Sequence, residues 1–381
     1  MSALAGLRVL DLSRLLPGGF CSLLLADHGA EVIKVEDTGG GDYLRWAGSD
    51  GAMFAALNRG KRSIRVDLKR PAGRDVLLRL VRAADVLLES FRPGVMDRLG
   101  VGYERLREEN PGVVYCAITG YGQDGPFAAR AGHDLNYLAR TGMLSLSEEP
   151  APPPGQIADI GGGALMAAFG VLAALRERDR SGEGQLIDVS MTDGALSWLA
   201  MPAARHLAGG DPGRELTGGL ICYRTYRCAD GWVAFGGLEP KFWRAWCLGV
   251  GRDDLLERQF DPVGSATHRE VEAVFARRTR AEWEAFNDEH DCCVEPVLSV
   301  AEALESELVR ARGMVVGRLL GAPVKLSRTP AGPAGAGAPP LGADTHAVLT
   351  EAGYEAAEIA ALEEAGAVAG PEGVTESSFL G

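Results

Sequence analysis

The first part of the chain contains a strand–helix–strand pattern, which limits the possible folds more than any other feature of the sequence. Residues 7–12 (Leu-Arg-Val-Leu-Asp-Leu) have the short apolar pattern of a β-strand, and residues 20–28 suit a helix. Gly29 ends that helix, and residues 31–36 (Glu-Val-Ile-Lys-Val-Glu) predict a second strand. A strand, a helix and a strand in this order form the first unit of a parallel α/β sheet.

Later segments continue the same alternation. Residues 71–84 predict an amphipathic helix, and strands are predicted at 85–89 and 113–118. An apolar helix is predicted over 161–180, and a further strand over 185–190. The predicted fold class is therefore α/β with a parallel sheet, and its ligands are expected at the carboxyl ends of the strands.

Changes in composition predict a second, smaller domain. The glycine-rich stretch 209–222 predicts a linker, and residues 223–315 have the hairpin and helical patterns of a small α+β domain. A stretch rich in Ala, Gly and Pro lies within 316–340 and predicts a second linker. We therefore predict a large domain at 1–208 that is completed by residues 341–381.

Charge and cysteine content exclude several functional classes. The chain has 39 basic and 52 acidic residues, a net charge of −13, which argues against binding of nucleic acid or of an anionic membrane. Its 7 cysteines are odd in number and contain no Cys-x-x-Cys pair, which predicts free thiols in a reducing cytosol. Without a leader pattern or an uninterrupted apolar run of about 18 residues, we expect a cytoplasmic protein and no membrane span.

A basic cluster stands out in this acidic chain. Between positions 59 and 70 only Asp67 opposes six cations. These are Arg59, Lys61, Arg62, Arg65, Lys69 and Arg70. Such a cluster suits a phosphate group, and it equally suits a solvated loop and helix start. The sequence leaves both interpretations open.

Three residues have side chains suited to proton transfer. His133 lies in a polar loop and is either a general acid–base or a hydrogen-bonded structural histidine. Asp159 precedes three glycines and a helix, where it predicts an N-cap. The glycines would also expose N–H groups that can stabilise a developing oxyanion. Glu239 lies in a turn before another helix and by itself is an ordinary helix-start carboxylate.

Taken together, these motifs resemble the α-methylacyl-CoA racemase branch of the class III (family III) CoA-transferase superfamily. The specific part is the run Gly-His-Asp-Leu-Asn-Tyr at 132–137 paired with Asp-Ile-Gly-Gly-Gly at 159–163. Matching segments, such as Phe-Arg-Pro-Gly at 91–94 and Leu-Glu-Pro-Lys-Phe at 238–242, extend the resemblance over nearly the whole chain.

The resemblance implies a Rossmann-like large domain that binds coenzyme A and a small domain that closes the site of the partner in an interlocked homodimer. It implies no metal and no redox cofactor, with coenzyme A as part of the acyl-CoA substrate. His133 and Asp159 would be the two bases, and Glu239 from the partner chain would orient them. The implied coenzyme A contacts are Arg65, Val66, Asp67, Leu68, Glu89, Ser90, Phe91, Arg92, Arg130, Ala131, Gly132, Asp134, Leu135 and Tyr137.

The function that this implies is racemisation of 2-methylacyl-CoA thioesters through an enolate. The alternatives are a CoA transferase that uses Asp159 as the nucleophile of an acyl anhydride, and a non-catalytic acyl-CoA binder. His133 favours the racemase, because transferases of this superfamily are usually described without it. The chain departs from the family at Asp37, where an arginine is common, and at Leu216–Ile221, which replaces a Leu-Asp-Gly-Gly-Ala-Pro loop.

Overall fold

A computed structural model describes residues 2–48, 51–332 and 337–374 of the chain. Residues 375–381 of the predicted C-terminal completion lie outside the described residues. The same holds for residues 333–336 of the second predicted linker.

The described residues contain twelve β-strands. They are β1 (Arg8–Asp11), β2 (Glu31–Glu36), β3 (Arg62–Val66), β4 (Val86–Glu89), β5 (Val114–Thr119), β6 (Leu186–Ser190), β7 (Tyr223–Cys228), β8 (Gly231–Gly236), β9 (Val294–Pro296), β10 (Val315–Val316), β11 (Leu319–Leu320) and β12 (Val368–Ala369).

The same residues contain sixteen α-helices. They are α1 (Leu15–Asp27), α2 (Ala52–Asn58), α3 (Pro71–Val81), α4 (Val95–Arg98), α5 (Tyr103–Glu109), α6 (Asp134–Thr141), α7 (Leu165–Ser181), α8 (Met191–Ser197), α9 (Ala200–Leu207), α10 (Pro240–Gly249), α11 (Ala266–Phe275), α12 (Arg280–His290), α13 (Val300–Glu305), α14 (Glu307–Ala311), α15 (Thr345–Glu351) and α16 (Ala356–Glu364). A π-helical segment, Ile157–Ala164, leads directly into α7.

The main sheet has seven strands in the order β12-β3-β2-β1-β4-β5-β6. All neighbours are parallel except β12, which runs antiparallel to β3 at the edge. The predicted parallel α/β sheet is therefore confirmed, and its six parallel strands have the doubly wound order of a Rossmann fold. The order of the strands reverses between β1 and β4, where folds of this type form their ligand crevice.

The core of this sheet follows the apolar pattern of the sequence. Leu10 of β1 is paired with Ile33 of β2 and with Leu87 of β4, and all three side chains are buried. The apolar face predicted for the helix after β3 is also confirmed, since Val76 and Leu80 of α3 pack into the same core. Buried β-branched and leucine side chains on both faces are typical of a parallel strand covered by helices.

Contacts divide the chain into two compact units. One comprises the described residues within 1–141, 153–198 and 312–374, and the other comprises 142–152 and 199–311. The second unit contains an antiparallel sheet in the order β7-β8-β9. Its core is aromatic and includes the buried side chains of Tyr226, Phe235, Trp243, Trp246, Phe275 and Trp283. The limits of these units differ from the predicted domains and linkers, which stay predictions.

The segment 157–181 is the one stretch of the described residues with the length and composition of a membrane span, with a mean hydropathy of 1.7. Half of its apolar window is buried within the protein, against α1, β5 and β6 among other elements. Core helices of soluble proteins have the same composition, so the segment is a weak indication of a membrane span.

Candidate active site

A cavity of about 450 Å³ lies at the carboxyl ends of the central strands. Its walls come from residues that directly follow β1, residues 90–93 after β4, and the end of β5 at 118–120. His133 and Asp159 both line it. The structure therefore brings the two predicted bases together at the edge of the sheet where ligands of α/β folds bind.

His133 precedes the first residue of α6 and is exposed. Its backbone N–H donates to Oδ1 of Asn136 at 3.0 Å, and its carbonyl accepts from the N–H of Asn136 at 2.8 Å. Among the described residues no hydrogen bond or ion pair engages its imidazole. The interpretation of His133 as a hydrogen-bonded structural histidine is therefore wrong, and the ring is available to a ligand in the cavity.

Asp159 lies inside the π-helical segment and is not its N-cap, so the N-cap prediction is wrong. The capping function belongs to Asp134, whose Oδ1 accepts the N–H of Ala158 at 2.7 Å and the N–H of Asp159 at 3.0 Å. Asp134 is buried. Because Asp134 accepts these two backbone N–H groups, the carboxylate of Asp159 is not needed for capping and lines the cavity. π-Helical segments are rare and often occur at functional sites.

The surroundings of Asp159 favour its protonated form. Burial, and then the charge of Asp134, raise the pKa of the Asp159 carboxyl from 3.8 to about 6. Burial and the charge of Asp159 in turn raise the pKa of the nearby Tyr137 to about 12, and its Oη donates to the carbonyl of Gly132 at 2.5 Å. A carboxylate with a pKa near 6 is a stronger base than an ordinary aspartate and is still ionised at neutral pH.

The three glycines after Asp159 serve close packing. Gly161, Gly162 and Gly163 are all buried, and none of them is among the residues that line the cavity. The expectation that their N–H groups stabilise an oxyanion stays a prediction. A Cβ on Gly162 would lie 2.4 Å from the carbonyl oxygen of Met191, and one on Gly161 would lie 2.2 Å from the ring of Trp198. Only glycine allows α8 to approach the π-helical segment this closely.

Arginines contribute positive charge to the cavity wall, through Arg14, Arg92 and Arg130. Arg14 follows β1, and its Nη2 lies 2.7 Å from Oδ2 of Asp37. Asp37, at the position where the family commonly has an arginine, thus has its own arginine partner. Arg14 was not among the predicted site residues, although its place shortly after a central strand was a signal.

The predicted coenzyme A contacts fall into three groups. Residues 90–92, residues 130–132 and Tyr137 line the cavity that contains the two predicted bases. Residues 66–68 line a neighbouring cavity of about 210 Å³, which shares Arg14 and Phe91 with the first. The remaining four line neither cavity, and of these Arg65, Glu89 and Asp134 are buried and Leu135 is exposed.

Two of the buried residues, Glu89 and Arg65, hold neighbouring backbone segments in place by hydrogen bonds. The Glu89 carboxylate accepts the N–H of Phe91 at 2.6 Å, which holds the turn after β4, and burial raises its pKa to about 7. The Arg65 guanidinium donates to the carbonyls of Gly370 and Glu372, each at 2.7 Å, and ties the C-terminal segment to β3.

Four of the six cations of the basic cluster at 59–70 are engaged within the fold. Arg59 is paired with Asp27 at 2.5 Å, and Lys61 with Asp11 at 3.2 Å, all four being buried. Arg62 bonds to Glu31 and Glu351, and Arg65 bonds to carbonyl groups. Both interpretations are therefore wrong for these four cations, whose charges are used within the fold. Lys69 remains exposed and lines the smaller cavity.

Glu239 belongs to the second unit, where it is the N-cap residue of α10. Its side chain is exposed and makes no capping hydrogen bond. It lies close enough to Cys293 for its charge to raise the pKa of that thiol, after burial and Asp291. This unit contains a cavity of about 580 Å³, lined in part by Thr217 and Gly218 of the altered loop and by Cys293.

Comparison with known proteins identifies the family of the chain. Residues 4–345 match the family model described as CoA-transferase family III. An alpha-methylacyl-CoA racemase from Mus musculus is 42% identical over 377 residues, covering 94% of this chain and 96% of the mouse protein. A protein of the same name from Homo sapiens is 39% identical over 374 residues, covering 94% and 95%.

A solved structure has the same fold. The crystal structure of a CAIB/BAIF family protein from Brucella suis is similar with a TM-score of 0.82 and 31% identity, over 92% of this chain and 99% of that one. The family model, over residues 4–345, spans the segments that build the cavity. The chain therefore belongs to CoA-transferase family III, as its motifs predicted.

Proposed function

We propose that the protein racemises 2-methylacyl-CoA thioesters, with His133 and Asp159 as the two bases. The main observation behind this proposal is that both side chains line one cavity. Within the part of the chain that the structure describes, neither the imidazole nor the carboxylate forms a hydrogen bond or an ion pair. The sequences of the racemase relatives support the same reaction. Because the reaction changes no oxidation state, it requires no redox cofactor, and coenzyme A enters as part of the substrate.

The proposed chemistry is a transfer of protons at the carbon next to the thioester. One base takes the α-proton, the electron pair moves onto the thioester oxygen to form an enolate, and the other base returns a proton to the opposite face. An ionised Asp159 with a pKa near 6 suits the first task at neutral pH. For the reverse direction the roles are exchanged, and a histidine can hold either one or two ring protons near neutrality.

Glu239 is proposed to act from the small domain of a second copy of the chain. Its carboxylate is exposed and free of capping bonds, so it is available to orient an imidazole. A charge-assisted hydrogen bond of this kind fixes the ring tautomer and its direction.

Exposed apolar side chains support the proposed homodimer. Phe169 is 72% exposed, and Leu165 and Leu172 on the same helix are 41% and 44% exposed. Positions 165, 169 and 172 follow the i, i+4, i+7 spacing of one helix face. Trp198, which packs on Gly161, is also half exposed. Contiguous exposed apolar surface is typical of a protein–protein interface.

The alternative function is acyl transfer through Asp159. The same partly buried carboxylate could attack a thioester carbonyl, displace the thiolate of coenzyme A and form an acyl anhydride. Membership of CoA-transferase family III keeps this alternative open. His133 favours proton transfer, because acyl transfer has no need of a second base on the opposite face of the substrate.

One experiment separates these functions from non-catalytic binding. A 2-methylacyl-CoA is incubated with the protein in D₂O without any acceptor acid, and the α-proton signal is followed by NMR. Loss of the signal supports racemisation. Transfer of coenzyme A to an added carboxylate, without exchange, contradicts the racemase and supports the transferase. Binding of the thioester with neither reaction supports the non-catalytic binder.

A further inference from the structure

Four buried charged side chains form a cluster beneath the carboxyl end of β1, outside the catalytic pair. They are Asp11, Lys34, Asp42 and Lys61, none more than 5% exposed. Lys34 Nζ lies 3.1 Å from Oδ2 of Asp42 and 3.9 Å from Oδ2 of Asp11, and Lys61 Nζ lies 3.2 Å from the same Asp11 oxygen. The two positive and two negative charges of this cluster cancel, and such pairing offsets the cost of removing charged groups from water.

This cluster is joined to the cavity wall by backbone hydrogen bonds. Both carboxylate oxygens of Asp42 accept the N–H of Leu15, at 3.3 and 3.2 Å. Lys34 donates to the carbonyl of Ser13 at 2.9 Å. The segment that carries Arg14 and the first residue of α1, Leu15, is therefore held by buried charged side chains at Ser13 and at Leu15.

Leu15 has an unfavourable backbone conformation. Its φ angle is +63°, in the left-handed region that glycine adopts freely and that a leucine avoids. Strained residues of this kind persist only where the surroundings hold them. Leu15 lines the cavity beside Arg14, and the Asp42 carboxylate accepts its N–H.

Arg14 depends on the same segment. Its N–H donates to Oγ of Ser90 at 3.0 Å, and its guanidinium donates to Asp37. Arg14 lines both the cavity with the two bases and its neighbour. A change in the backbone at position 15 would therefore move the arginine that stands where the two cavities meet.

We propose that Asp42 is a positioning residue, which holds Leu15 in its left-handed conformation and so places Arg14 at the junction of the two cavities. Asp42 lines the smaller cavity and acts on the larger one through the Leu15 N–H. The inference rests on the proposed binding of a coenzyme A thioester at this site. It adds a residue whose effect falls on binding, since His133 and Asp159 make no contact with the Asp42 carboxylate in the described residues.

The direct test measures amide hydrogen exchange of Leu15 in the wild type and in Asp42→Ala. We expect exchange to accelerate by about ten-fold or more, because the bond that protects the amide is lost. Asp42→Asn keeps one acceptor oxygen and should give an intermediate rate. Asp27→Ala is the matched control, since it also removes a buried carboxylate with a cationic partner, Arg59, but at the opposite end of α1 from Leu15.

The second readout is the dissociation constant of coenzyme A itself, measured by calorimetry. Asp42→Ala should weaken binding by about ten-fold. In the Leu15→Gly background the same substitution should weaken binding much less, because glycine adopts the left-handed conformation without help. A generally destabilised protein would show no such dependence on residue 15.

Each outcome decides between the interpretations. Equal acceleration of exchange in Asp42→Ala and Asp27→Ala, or none in either, would overturn the proposal. So would an equal loss of affinity with leucine and with glycine at position 15. If the wild type binds no coenzyme A, the proposed function fails, while the exchange rates still decide whether Asp42 holds Leu15.

Discussion

The carboxylate of Asp134 accepts the backbone N–H of Asp159 at 3.0 Å, and its charge contributes to the raised pKa of the Asp159 carboxyl. The buried side chain of Asp134 thus helps to position Asp159 and also contributes to the raised proton affinity of the Asp159 carboxylate. The two effects have different chemical requirements. Position depends on an acceptor oxygen, and the electrostatic effect depends on a negative charge.

Asp134→Asn separates these two effects. Asparagine retains an acceptor oxygen but removes the charge, so the pKa of Asp159 should fall. In the direction in which Asp159 takes the proton, the acidic limb of the pH–rate profile should therefore move to lower pH from its wild-type position near pH 6. The profile of α-proton exchange measures the shift. An unmoved acidic limb would show that the charge of Asp134 does not influence the pKa of Asp159.

Asp134→Ala, which also leaves two N–H groups without an acceptor, should lose about 1–3 kcal/mol in the free energy of unfolding.

Asp159→Asn should stabilise the protein at alkaline pH. Folding raises the pKa of Asp159 from 3.8 to about 6, so the native state binds this proton more tightly than the unfolded state. The stability that this group contributes is present below pH 3.8 and is lost as pH rises through about 6. At pH 8 the ionised carboxylate costs of the order of 3 kcal/mol, and the neutral amide avoids that cost.

Urea denaturation at two pH values measures this effect. The free energy of unfolding of Asp159→Asn should exceed that of the wild type by up to about 3 kcal/mol at pH 8, and by about half as much at pH 5. An equal difference at both pH values would contradict the raised pKa.

Gly162→Ala should damage the site through packing alone. Its Cβ would lie 2.4 Å from the carbonyl oxygen of Met191, so the π-helical segment or α8 must shift. We expect a loss of about 1–3 kcal/mol in the free energy of unfolding, together with reduced activity because Asp159 lies in the displaced segment. Gly155→Ala is the control, since a Cβ there meets nothing within 4 Å. Comparable losses in the two variants would contradict the packing argument.

Phe169→Glu should weaken the proposed homodimer. Phe169 is 72% exposed on the apolar face of α7, where a carboxylate could be buried only at a high cost. Light scattering after size-exclusion chromatography should give the molar mass of a dimer for the wild type. For the variant, the molar mass should fall towards that of a monomer. Met53→Glu, at another half-exposed apolar residue, should leave the dimer intact. A wild type that is monomeric at micromolar concentration would contradict the homodimer.

Sequence patterns predicted the sheet correctly, and they singled out two residues, His133 and Asp159, whose catalytic roles stay predictions. The strand–helix–strand unit at the start of the chain and the buried face of α3 follow from local periodicity, which survives in the structure. His133 and Asp159 were found by motif, and the structure places them in one cavity.

The predictions that were wrong concern residues whose partners lie far away in the sequence. The capping bonds from Asp134 to Ala158 and Asp159 cross more than twenty residues, so the local pattern suggested that Asp159 capped the helix itself. Lys61 is likewise paired with Asp11, which is fifty positions away. Local charge density cannot reveal partners that the fold supplies from elsewhere.

The assignment of His133 as a catalytic base is tested by the effect of His133→Ala on α-proton exchange. A 2-methylacyl-CoA is incubated in D₂O with the wild type, with His133→Ala, and with His346→Ala, whose histidine is paired with Glu363 at 2.7 Å. We expect the wild type and His346→Ala to exchange the α-proton and His133→Ala to lose at least about a hundred-fold in rate. Exchange at the wild-type rate in His133→Ala would contradict the assignment of His133 as a catalytic base.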